Sequence, residues 1–514
     1  MQNGIGSWLR KHAYFDSNRL ALIYQNRRLT YTELNKRVNQ LSHALVSLGV
    51  RKGDRVDALL FNSNEMVETM FACAKIGAIF TPINFRLSIE EVVYIINDSS
   101  ANHFVYDERM KELVDGLRER KTSLITYIHV GNKPQHDDLL YEEWIADFPT
   151  AEPEYEVQLD DIHLMMYTSG TTGKPKGATL SHGNTLWNAI NAVNFLPYYH
   201  TDVTLTAAPL FHIGGMSVVT TVMFYQGGTV VLEDVFHPEK ILQQIQNEKV
   251  TNMFLVPAMW QALTSIENFN NYDLSSVRFF ISGGAPCPIT IIEFFQNKGI
   301  KFFEGFGLTE TAPFVCLLDS DNAIRKNGSV GKAPIHTEVK VVDPYDNDLP
   351  SGEVGELIVR GPNIMHGYWN NPEATREAIK DGWFYTGDLA RIDEEDFVYI
   401  VDRKKDLIIT GGENVYPIEI EQLLFRHPNI REAAIIGYPD EKWGESIKAV
   451  VALKDPETEL ELDELKDYLE GKIAGFKMPK QLQIVDELPR NATGKILKMV
   501  LRDQVRQNEI KGRK

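Results

Sequence analysis

The sequence predicts an α/β protein with a large N-terminal domain of mixed, mostly parallel sheets and a small α+β C-terminal domain. Three observations support this fold class. Strand-like and helix-like segments alternate through most of the chain, short strands with Gly/Pro turns follow from about Val330, and a new strand and helix pattern starts near Asp402. The chain has 514 residues, 43% of them hydrophobic, so it is long enough to divide into more than one domain with its own core.

The first well-defined helix is predicted after Thr30. Thr30 and Glu33 have the spacing of a capping box, in which each side chain satisfies a backbone N–H of the first helical turn. Leucine and valine then recur every three or four residues over 34–48, up to Gly49. This spacing predicts an amphipathic helix with one face in the core.

The segments after this helix alternate between strand and helix. "RVDALLF" (55–61) predicts a buried strand and "EMVETMFACAKIGAIFTPIN" (65–84) predicts the next helix. Because this alternation is typical of sheets covered by helices, a mostly parallel sheet is expected. Further strands are predicted in "TLTAAPL" (204–210), "GTVVLED" (228–234), "VTNMFLVP" (250–257) and "VRFFISGGAP" (277–286).

The pattern changes after about Val330. Alternating residues with Gly and Pro turns over 337–361 predict a small β subdomain, placed at about 330–402. The charged run from Asp402 to Lys405 interrupts the apolar pattern. We therefore predict an N-terminal domain over 1–402 and a C-terminal domain over 403–514.

Charge and cysteine content narrow the function classes. Lys and Arg number 53 against 71 Asp and Glu, a net charge of −18, which would repel nucleic acid and anionic membranes. Cys73, Cys287 and Cys316 lie far apart and form no disulfide framework or metal-binding spacing. Without a signal-like N-terminus or an apolar run long enough to cross a bilayer, a cytoplasmic protein with no transmembrane segment and no nucleic-acid partner is expected.

The segment "YTSGTTGKPKG", Tyr167 to Gly177, combines glycines, hydroxyls and two lysines with few core-forming side chains. Glycines let backbone N–H groups approach a ligand closely, so the composition suits a polyphosphate; a flexible polar surface turn is the alternative. The spacing does not match a Walker A loop, because Pro175 follows Lys174. The candidate phosphate contacts are Thr168, Ser169, Gly170, Thr171, Thr172, Gly173, Lys174 and Lys176.

This loop is followed by five more motifs: "PLFH" (209–212), "GFGLTET" (305–311), "YTGDL" (385–389), "DRKKDLIITGGENVYPIEIE" (402–421) and "PRNATGKI" (489–496). In this order and spacing the chain resembles the adenylate-forming superfamily over its whole length, and within it the bacterial fatty acyl-CoA and aryl-CoA ligases. The resemblance implies a mobile C-terminal domain and a two-step reaction. A carboxylate attacks the α-phosphorus of MgATP to give an acyl-adenylate and pyrophosphate, and a thiol then displaces AMP.

The resemblance also implies catalytic roles. Lys495 would lie between the carboxylate and the α-phosphate, Glu310 would hold Mg²⁺ with Thr309 on phosphate, and Lys405 would be the hinge between the two domains. For Lys405 the alternative is one more solvated charge. Asp388 and Arg403 would contact the ribose. The segments that enclose the adenine would contain Gly283, Gly284, Ala285, Pro286, Gly305, Phe306 and Gly307, unless these are ordinary strand-to-helix turns.

The acyl pocket would involve His212, Ile213 and Gly214 together with Gly283 and Gly307, although a histidine beside apolar residues can be a core side chain. Coenzyme A would contact Gly411, Gly412 and Glu413. Three function classes stay open: an acid–CoA ligase, an adenylation enzyme that loads a carrier protein, and a nucleotide-binding protein without catalysis.

We expect an ATP-, Mg²⁺- and coenzyme A-dependent ligase for a medium- or long-chain fatty acid, motivated by the overall resemblance and by the apolar stretch "FHIGGMSVVTTVMFY" (211–225). An aryl-CoA ligase is the alternative. The acceptor is expected to be coenzyme A, because no carrier-domain serine motif is found. The oligomeric state is not readable from the chain; dimers among relatives make a homodimer the candidate.

Overall fold

The computed structural model describes residues 4–133, 135–169, 174–440, 442–455, 457–490 and 496–512, apart from the side chains of Ser169 and 506–512. The chain divides into two compact units. The first contains Met1–Val339, Val359–Tyr385 and Asp396–Val398, and the second contains Lys340–Ile358, Thr386–Glu395 and Tyr399–Lys514. These units reflect how the chain packs and not how its parts move. The domain boundary at 402/403 and the hinge at Lys405 therefore stay predictions.

The first unit is built from two large sheets covered by helices. Its strands are β1 (Leu20–Tyr24), β2 (Arg27–Thr30), β3 (Arg55–Leu59), β4 (Ile79–Pro82), β5 (His103–Asp107), β6 (Thr126–Val130), β7 (Leu139–Leu140), β8 (Ile162–Ser169), β9 (Pro175–Ser181), β10 (Val203–Thr206), β11 (Thr229–Leu232), β12 (Asn252–Leu255), β13 (Phe279–Gly283), β14 (Lys301–Gly307) and β15 (Phe314–Leu318). 

Five further strands follow, divided between the two units. They are β16 (Glu338–Val342), β17 (Gly355–Arg360), β18 (Gly367–Tyr368), β19 (Ile379–Lys380) and β20 (Trp383–Ile392). The predicted β-rich character after Val330 is confirmed by these strands, and β18 returns to the large sheets of the first unit.

The first sheet has the strand order β15–β14–β13–β12–β10–β11–β1–β2. Its interior pairs are parallel, whereas the edge pairs β1·β2 and β14·β15 are antiparallel. The second sheet has the order β18–β9–β8–β4–β3–β5–β6–β7, with antiparallel pairs at β18·β9 and β8·β9. The predicted mostly parallel α/β fold is confirmed.

The helices of the first unit are α1 (Ser7–Phe15), α2 (Tyr31–Ser47), α3 (Asn64–Ile76), α4 (Ile89–Ser99), α5 (Lys111–Arg118), α6 (Tyr141–Ala146), α7 (His182–Phe195), α8 (Thr221–Gln226), α9 (Pro238–Glu248), α10 (Pro257–Thr264), α11 (Ile289–Gln296) and α12 (Pro372–Ala378). The predicted capping box of Thr30 and Glu33 is confirmed at the start of α2. Leu34, Val38, Leu41 and Leu45 of this helix are fully buried in the core, and Leu48 is partly buried beside them.

One element prediction was wrong. The stretch 65–84 was predicted as one helix, but α3 ends at Ile76 and β4 begins at Ile79. Gly77 separates them in the left-handed region, with φ 74°. A left-handed residue after the last turn ends a helix, and glycine takes this conformation without steric cost.

The second unit has its own sheet and cores. Its strands after β20 are β21 (Val398–Arg403, whose first residue belongs to the first unit), β22 (Ile408–Thr410), β23 (Glu413–Val415), β24 (Ile430–Asp440), β25 (Gly444–Leu453) and β26 (Gln481–Ile484), and its helices are α13 (Pro417–Leu424), α14 (Leu462–Leu469) and α15 (Lys498–Gly512). The sheet has the order β23–β22–β25–β24, with β26 on β25. Ile435 and Ile447 belong to the core on one face, and Ile436 and Val450 to the core on the other.

Candidate active site

Glu310 lies in a polar cluster of the first unit. It belongs to the short 3-10 helix Thr309–Thr311 after β14, and its side chain is buried. The hydroxyl of Tyr368 donates a hydrogen bond of 2.9 Å to Oε1 of Glu310, and the hydroxyl of Thr168 lies 3.5 Å from the same oxygen. The structure therefore brings the predicted magnesium ligand beside a predicted phosphate-loop residue.

The backbone around Glu310 is held on both sides. The N–H of Met365 donates to the carbonyl of Glu310 at 2.8 Å, and the N–H of Leu308 donates to Oγ1 of Thr311 at 3.0 Å. Ala312 then takes a φ of 64°, which turns the chain back into β15 beside β14. The carboxylate is thus positioned by the fold itself.

The predicted phosphate loop joins β8 to β9. These strands are antiparallel, with Thr168 opposite Lys176. Lys176 is half-buried and its ammonium lies 5.2 Å from the ring centre of Tyr368; Lys174 is exposed and lies 5.8 Å from the ring centre of Tyr94. Gly170, Thr171, Thr172 and Gly173, together with Lys495 of the C-terminal motif, lie outside the described residues, as does the side chain of Ser169.

The predicted adenine segments lie at the carboxyl ends of β13 and β14, where ligands commonly bind to α/β sheets. Gly283 is opposite Gly305, and a Cβ at Gly283 would lie 2.8 Å from the carbonyl oxygen of Gly305. At Gly307 a Cβ would lie 1.8 Å from the carbonyl oxygen of Pro313. Side chains are therefore excluded at these positions. Gly284, Ala285 and Pro286 are exposed beyond β13, and Phe306 is half-buried.

A largely buried carboxyl group next to these glycines was missed by the sequence analysis. Glu304 pairs with Ser282 across β13 and β14, and the N–H of Cys287 donates to its Oε2 at 3.4 Å. Within the described residues, Oε1 of Glu304 and Oγ of Ser282 are buried without a hydrogen-bond partner. Burial raises the pKa of Glu304 to about 7. Phe302 and Phe303 are both buried, which hides the alternation of β14, so no periodic signal marks Glu304 in the sequence.

The predicted acyl-pocket residues converge on Phe254 of β12. His212 is exposed and Ile213 is buried, just before the π-helix Gly215–Thr220. A Cβ at Gly214 would lie 3.1 Å from Cε1 of Phe254, and a Cβ at Gly283 would lie 3.2 Å from Cε2 of the same ring. The tip of the Phe254 ring therefore fills the gap between these two glycines, a contact that spacing along the chain could not reveal.

In the second unit, Asp388 and Arg403 are neighbours. Asp388 lies on β20, is buried, and has Oδ1 3.6 Å from Nε of Arg403. The N–H of Lys404 donates to the carbonyl of Gly387 at 2.9 Å. The structure thus brings the two predicted ribose contacts together.

The predicted hinge residue, Lys405, lies two positions after Arg403. Lys405 is exposed, and the next residue, Asp406, accepts a 2.9 Å hydrogen bond from Arg502 of α15. On the other side of Lys405, the carboxylate of Asp402 accepts a 3.0 Å hydrogen bond from the N–H of Ile418, in the first turn of α13. These bonds anchor the chain on both sides of Lys405 to helices of the second unit.

The predicted coenzyme A residues form the exposed turn between β22 and β23. Gly411 and Gly412 have φ of 60° and 87°, and a Cβ at Gly411 would lie 2.9 Å from the ring of Trp443. Trp443 is 42% exposed, and the ammonium groups of Lys442 and Lys480 lie 4.7 Å and 5.0 Å from its ring centre. An exposed indole with two nearby cations therefore adjoins this turn. Glu413 is exposed.

Comparison with known proteins decides the family. The sequence model of the AMP-binding enzyme family matches residues 9–369, and that of the AMP-binding enzyme C-terminal domain matches residues 419–495. The chain belongs to the AMP-binding enzyme family. The predicted membership of the adenylate-forming superfamily is thereby confirmed.

Relatives cover nearly the whole chain. A feruloyl-CoA synthase of Amycolatopsis sp. is 40% identical over 96% of this chain and 98% of its own. A long-chain-fatty-acid–CoA ligase of Mycobacterium tuberculosis is 38% identical over 93% of both chains. The o-succinylbenzoate coenzyme A synthetase of Bacillus subtilis, solved with ATP and magnesium ion, is 33% identical with a TM-score of 0.85, covering 97% of this chain and 99% of its own.

These relatives confirm the predicted enzyme class, an AMP-forming acyl-CoA synthetase that acts through an acyl-adenylate. ATP, Mg²⁺ and coenzyme A, the predicted cofactors, fit this class. The relatives include ligases named for aryl acids and for fatty acids, so the fatty acid substrate stays a prediction.

The residues of the cluster around Glu310 fit a magnesium ion bound together with ATP. Among the residues described, no three His, Cys, Asp or Glu side chains form a metal cage. Mg²⁺ does not need one, because it is commonly bound through one or two carboxylates plus substrate phosphates. Glu310 offers a single hard carboxylate beside the phosphate-loop strand.

Across the parts of the chain that the structure describes, no helix combines the length and apolar character needed to cross a bilayer.

Proposed function

We propose that the protein converts a carboxylic acid with an aromatic tail into its coenzyme A thioester. The observation that carries the aromatic assignment is the position of Phe254. Its ring is 5% exposed and its tip fits between Gly214 and Gly283, two of the glycines assigned to the acyl pocket. In this proposal Phe254 forms the end wall of that pocket.

The wall discriminates by shape. An unbranched acyl chain that extends as far as Phe254 must displace this buried ring. A flat aromatic substrate can instead pack against the edge or face of the Phe254 ring. Aromatic pairs gain roughly 0.5–1.5 kcal/mol beyond the burial of their surface. The 40% identity with a feruloyl-CoA synthase supports the same assignment.

A medium- or long-chain fatty acid is the second candidate. It is favoured by the apolar segment around the π-helix Gly215–Thr220, all of whose residues are buried, and by the similarity to a long-chain-fatty-acid–CoA ligase. A π-helix is often found at functional sites.

In the proposed first step the substrate carboxylate is already ionised, so no general base is needed. The obstacle is repulsion between two anions. At 4 Å and an effective dielectric constant of 20, two unit charges interact by about 4 kcal/mol; a lysine between them, assigned here to Lys495, offsets this repulsion. Magnesium held by Glu310 would supply positive charge to the phosphates, with Thr309, Thr168 and Lys176 as further contacts. Asp388 and Arg403 would hold the ribose.

In the second step a thiol displaces AMP. We assign the exposed turn of Gly411, Gly412 and Glu413 to coenzyme A, with the Trp443 ring and its two lysines as the surface that takes the nucleotide end. Lys405 is assigned to the hinge. A separate carrier protein is the alternative acceptor. A homodimer, a cytoplasmic location and the division at residues 402/403 remain predictions.

The decisive experiment measures pyrophosphate release with a panel of acids, with and without coenzyme A. Hydroxycinnamic, arylacetic and benzoic acids are compared with saturated fatty acids of increasing chain length. We expect kcat/KM for at least one aromatic acid to exceed that of every fatty acid. The opposite order would refute the aromatic assignment, and no acid-dependent release at all would refute the ligase.

Substitution of Phe254 tests the wall directly. Phe254→Ala should raise kcat/KM for longer fatty acids and lower it for the best aromatic acid. Met253, the fully buried neighbour on the same strand, provides the control: Met253→Ala should lower stability without changing the order of preference. An unchanged order in Phe254→Ala would remove Phe254 from the pocket.

A further inference from the structure

Tyr368 joins three parts of the polar cluster in the first unit. Its hydroxyl donates to Oε1 of Glu310 at 2.9 Å, and its ring centre lies 5.2 Å from the ammonium of Lys176. Its backbone pairs with Ala178 on β9. A cation within about 6 Å of an aromatic ring is attracted to its face. One side chain therefore contacts both the carboxylate and a lysine at the base of the phosphate loop.

The strand that carries Tyr368 is firmly attached. The N–H groups of His366 and Trp369 donate to the carbonyls of Thr179 and Gly177 at 3.0 Å and 2.7 Å, and the Thr179 hydroxyl donates to the carbonyl of Gly367 at 2.7 Å. On the other side, Met365 bonds to the backbone of Glu310. Residues 365–369 thus connect β9 with the turn that holds Glu310. These bonds fix the backbone position from which the Tyr368 side chain extends.

The hydrogen bond restricts which carboxylate oxygen can meet a cation. Oε1 of Glu310 accepts from Tyr368 and lies 3.5 Å from the Thr168 hydroxyl. Within the described part of the chain, Oε2 accepts no hydrogen bond. Oε1 is therefore engaged by the Tyr368 hydroxyl, and Oε2 is the oxygen left for a cation.

We propose that Tyr368 is a positioning residue, which holds Glu310 by one oxygen so that the other is aimed at the magnesium of MgATP. The inference rests on the proposed role of Glu310 as the magnesium ligand. Partners that orient a metal-binding side chain typically contribute 10- to 100-fold to metal affinity. Tyr368 lies outside the sequence motifs from which the site was predicted, and the structure alone reveals it.

The test measures Mn²⁺ binding, with a non-hydrolysable ATP analogue present, by electron paramagnetic resonance. Tyr368→Phe removes the hydroxyl and keeps the ring beside Lys176. We expect the Mn²⁺ dissociation constant to rise about 10-fold or more, and the Mg²⁺ concentration for half-maximal pyrophosphate release to rise in parallel. At saturating Mg²⁺, kcat should largely recover. Thr168→Val should have a smaller effect, since its hydroxyl is 3.5 Å from the carboxylate.

A matched control separates positioning from general stability. Tyr31 is buried elsewhere in the first unit and its hydroxyl donates to the carbonyl of Gly228 at 2.7 Å. Tyr31→Phe should lower the melting temperature but leave Mn²⁺ binding unchanged. If Tyr368→Phe behaves like Tyr31→Phe, the positioning role is refuted.

Glu310→Ala provides the reference for the proposed function. If this variant binds Mn²⁺ weakly while Tyr368→Phe binds normally, the positioning role is wrong and the magnesium ligand stands. If Glu310→Ala binds Mn²⁺ as tightly as the unmodified protein, the magnesium assignment itself fails, and the inference fails with it. Weak binding in both variants supports both statements.

Discussion

Replacing Glu304 with glutamine should stabilise the first unit at alkaline pH more than at acid pH. Burial raises the pKa of this carboxyl from 4.5 to about 7, so the folded state binds the proton more tightly than the unfolded state. Its contribution to stability is complete below about pH 4.5 and is lost as the pH rises through 7. Glutamine stays neutral and keeps an oxygen that can accept from the N–H of Cys287.

The size of the effect follows from the shift. A rise in the pKa from 4.5 to about 7 lowers the free energy of unfolding by about 3 kcal/mol once Glu304 is fully ionised in the folded state. Because part of the cost is already present at pH 5, the advantage of glutamine should grow by about 2–3 kcal/mol between pH 5 and pH 8. For a unit of this size that corresponds to about 3 °C in melting temperature.

The assay is calorimetric melting of the unmodified protein and Glu304→Gln from pH 5 to pH 8. Other groups titrate over this range, so the quantity to compare is the difference between the two proteins at each pH. Glu239→Gln, at an exposed position of α9, is the control and should give a constant difference. A constant difference for Glu304→Gln, or a larger advantage at pH 5, would refute the reasoning.

Three more predictions concern the reaction. Gly307→Ala would place a Cβ 1.8 Å from the carbonyl oxygen of Pro313 and should lower both the melting temperature and acid-dependent pyrophosphate release, whereas Gly475→Ala, with no neighbour within 4 Å, should change neither. Gly411→Ala forces a side chain into a left-handed conformation against Trp443; thioester formation should fall about 100-fold while pyrophosphate release persists, and equal loss of both steps would contradict the coenzyme A assignment. Lys495→Ala should abolish acid-dependent pyrophosphate formation, and normal turnover would overturn its role.

Much of the fold could be predicted because local rules and tertiary packing agree. The capping box before α2 and the apolar spacing inside it are local signals, and both appear in the structure. The failure at 65–84 is also local in origin. Helix and buried strand both present continuous apolar residues, and periodicity alone does not show where Gly77 ends one and β4 begins the other.

Only part of the candidate site could be predicted from the sequence. Glu310 and Thr168 belong to motifs that can be read from the chain, although 142 positions separate them. Tyr368, Phe254 and Glu304 could not be identified in this way. Each makes its contacts across strands or between a strand and a turn, and such contacts leave no periodic pattern in the sequence.

The sequence by itself determined the α/β class and the family, and it supplied the candidate residues for phosphate, cation and ribose contacts, because these depend on residue type and short spacing. The tertiary structure alone decided which oxygen of Glu310 is engaged, that a phenylalanine ring fills the space between two glycines, and that Oε1 of Glu304 is buried without a hydrogen-bond partner among the described residues. Those properties depend on distances between segments far apart in the chain, and such distances are set by packing.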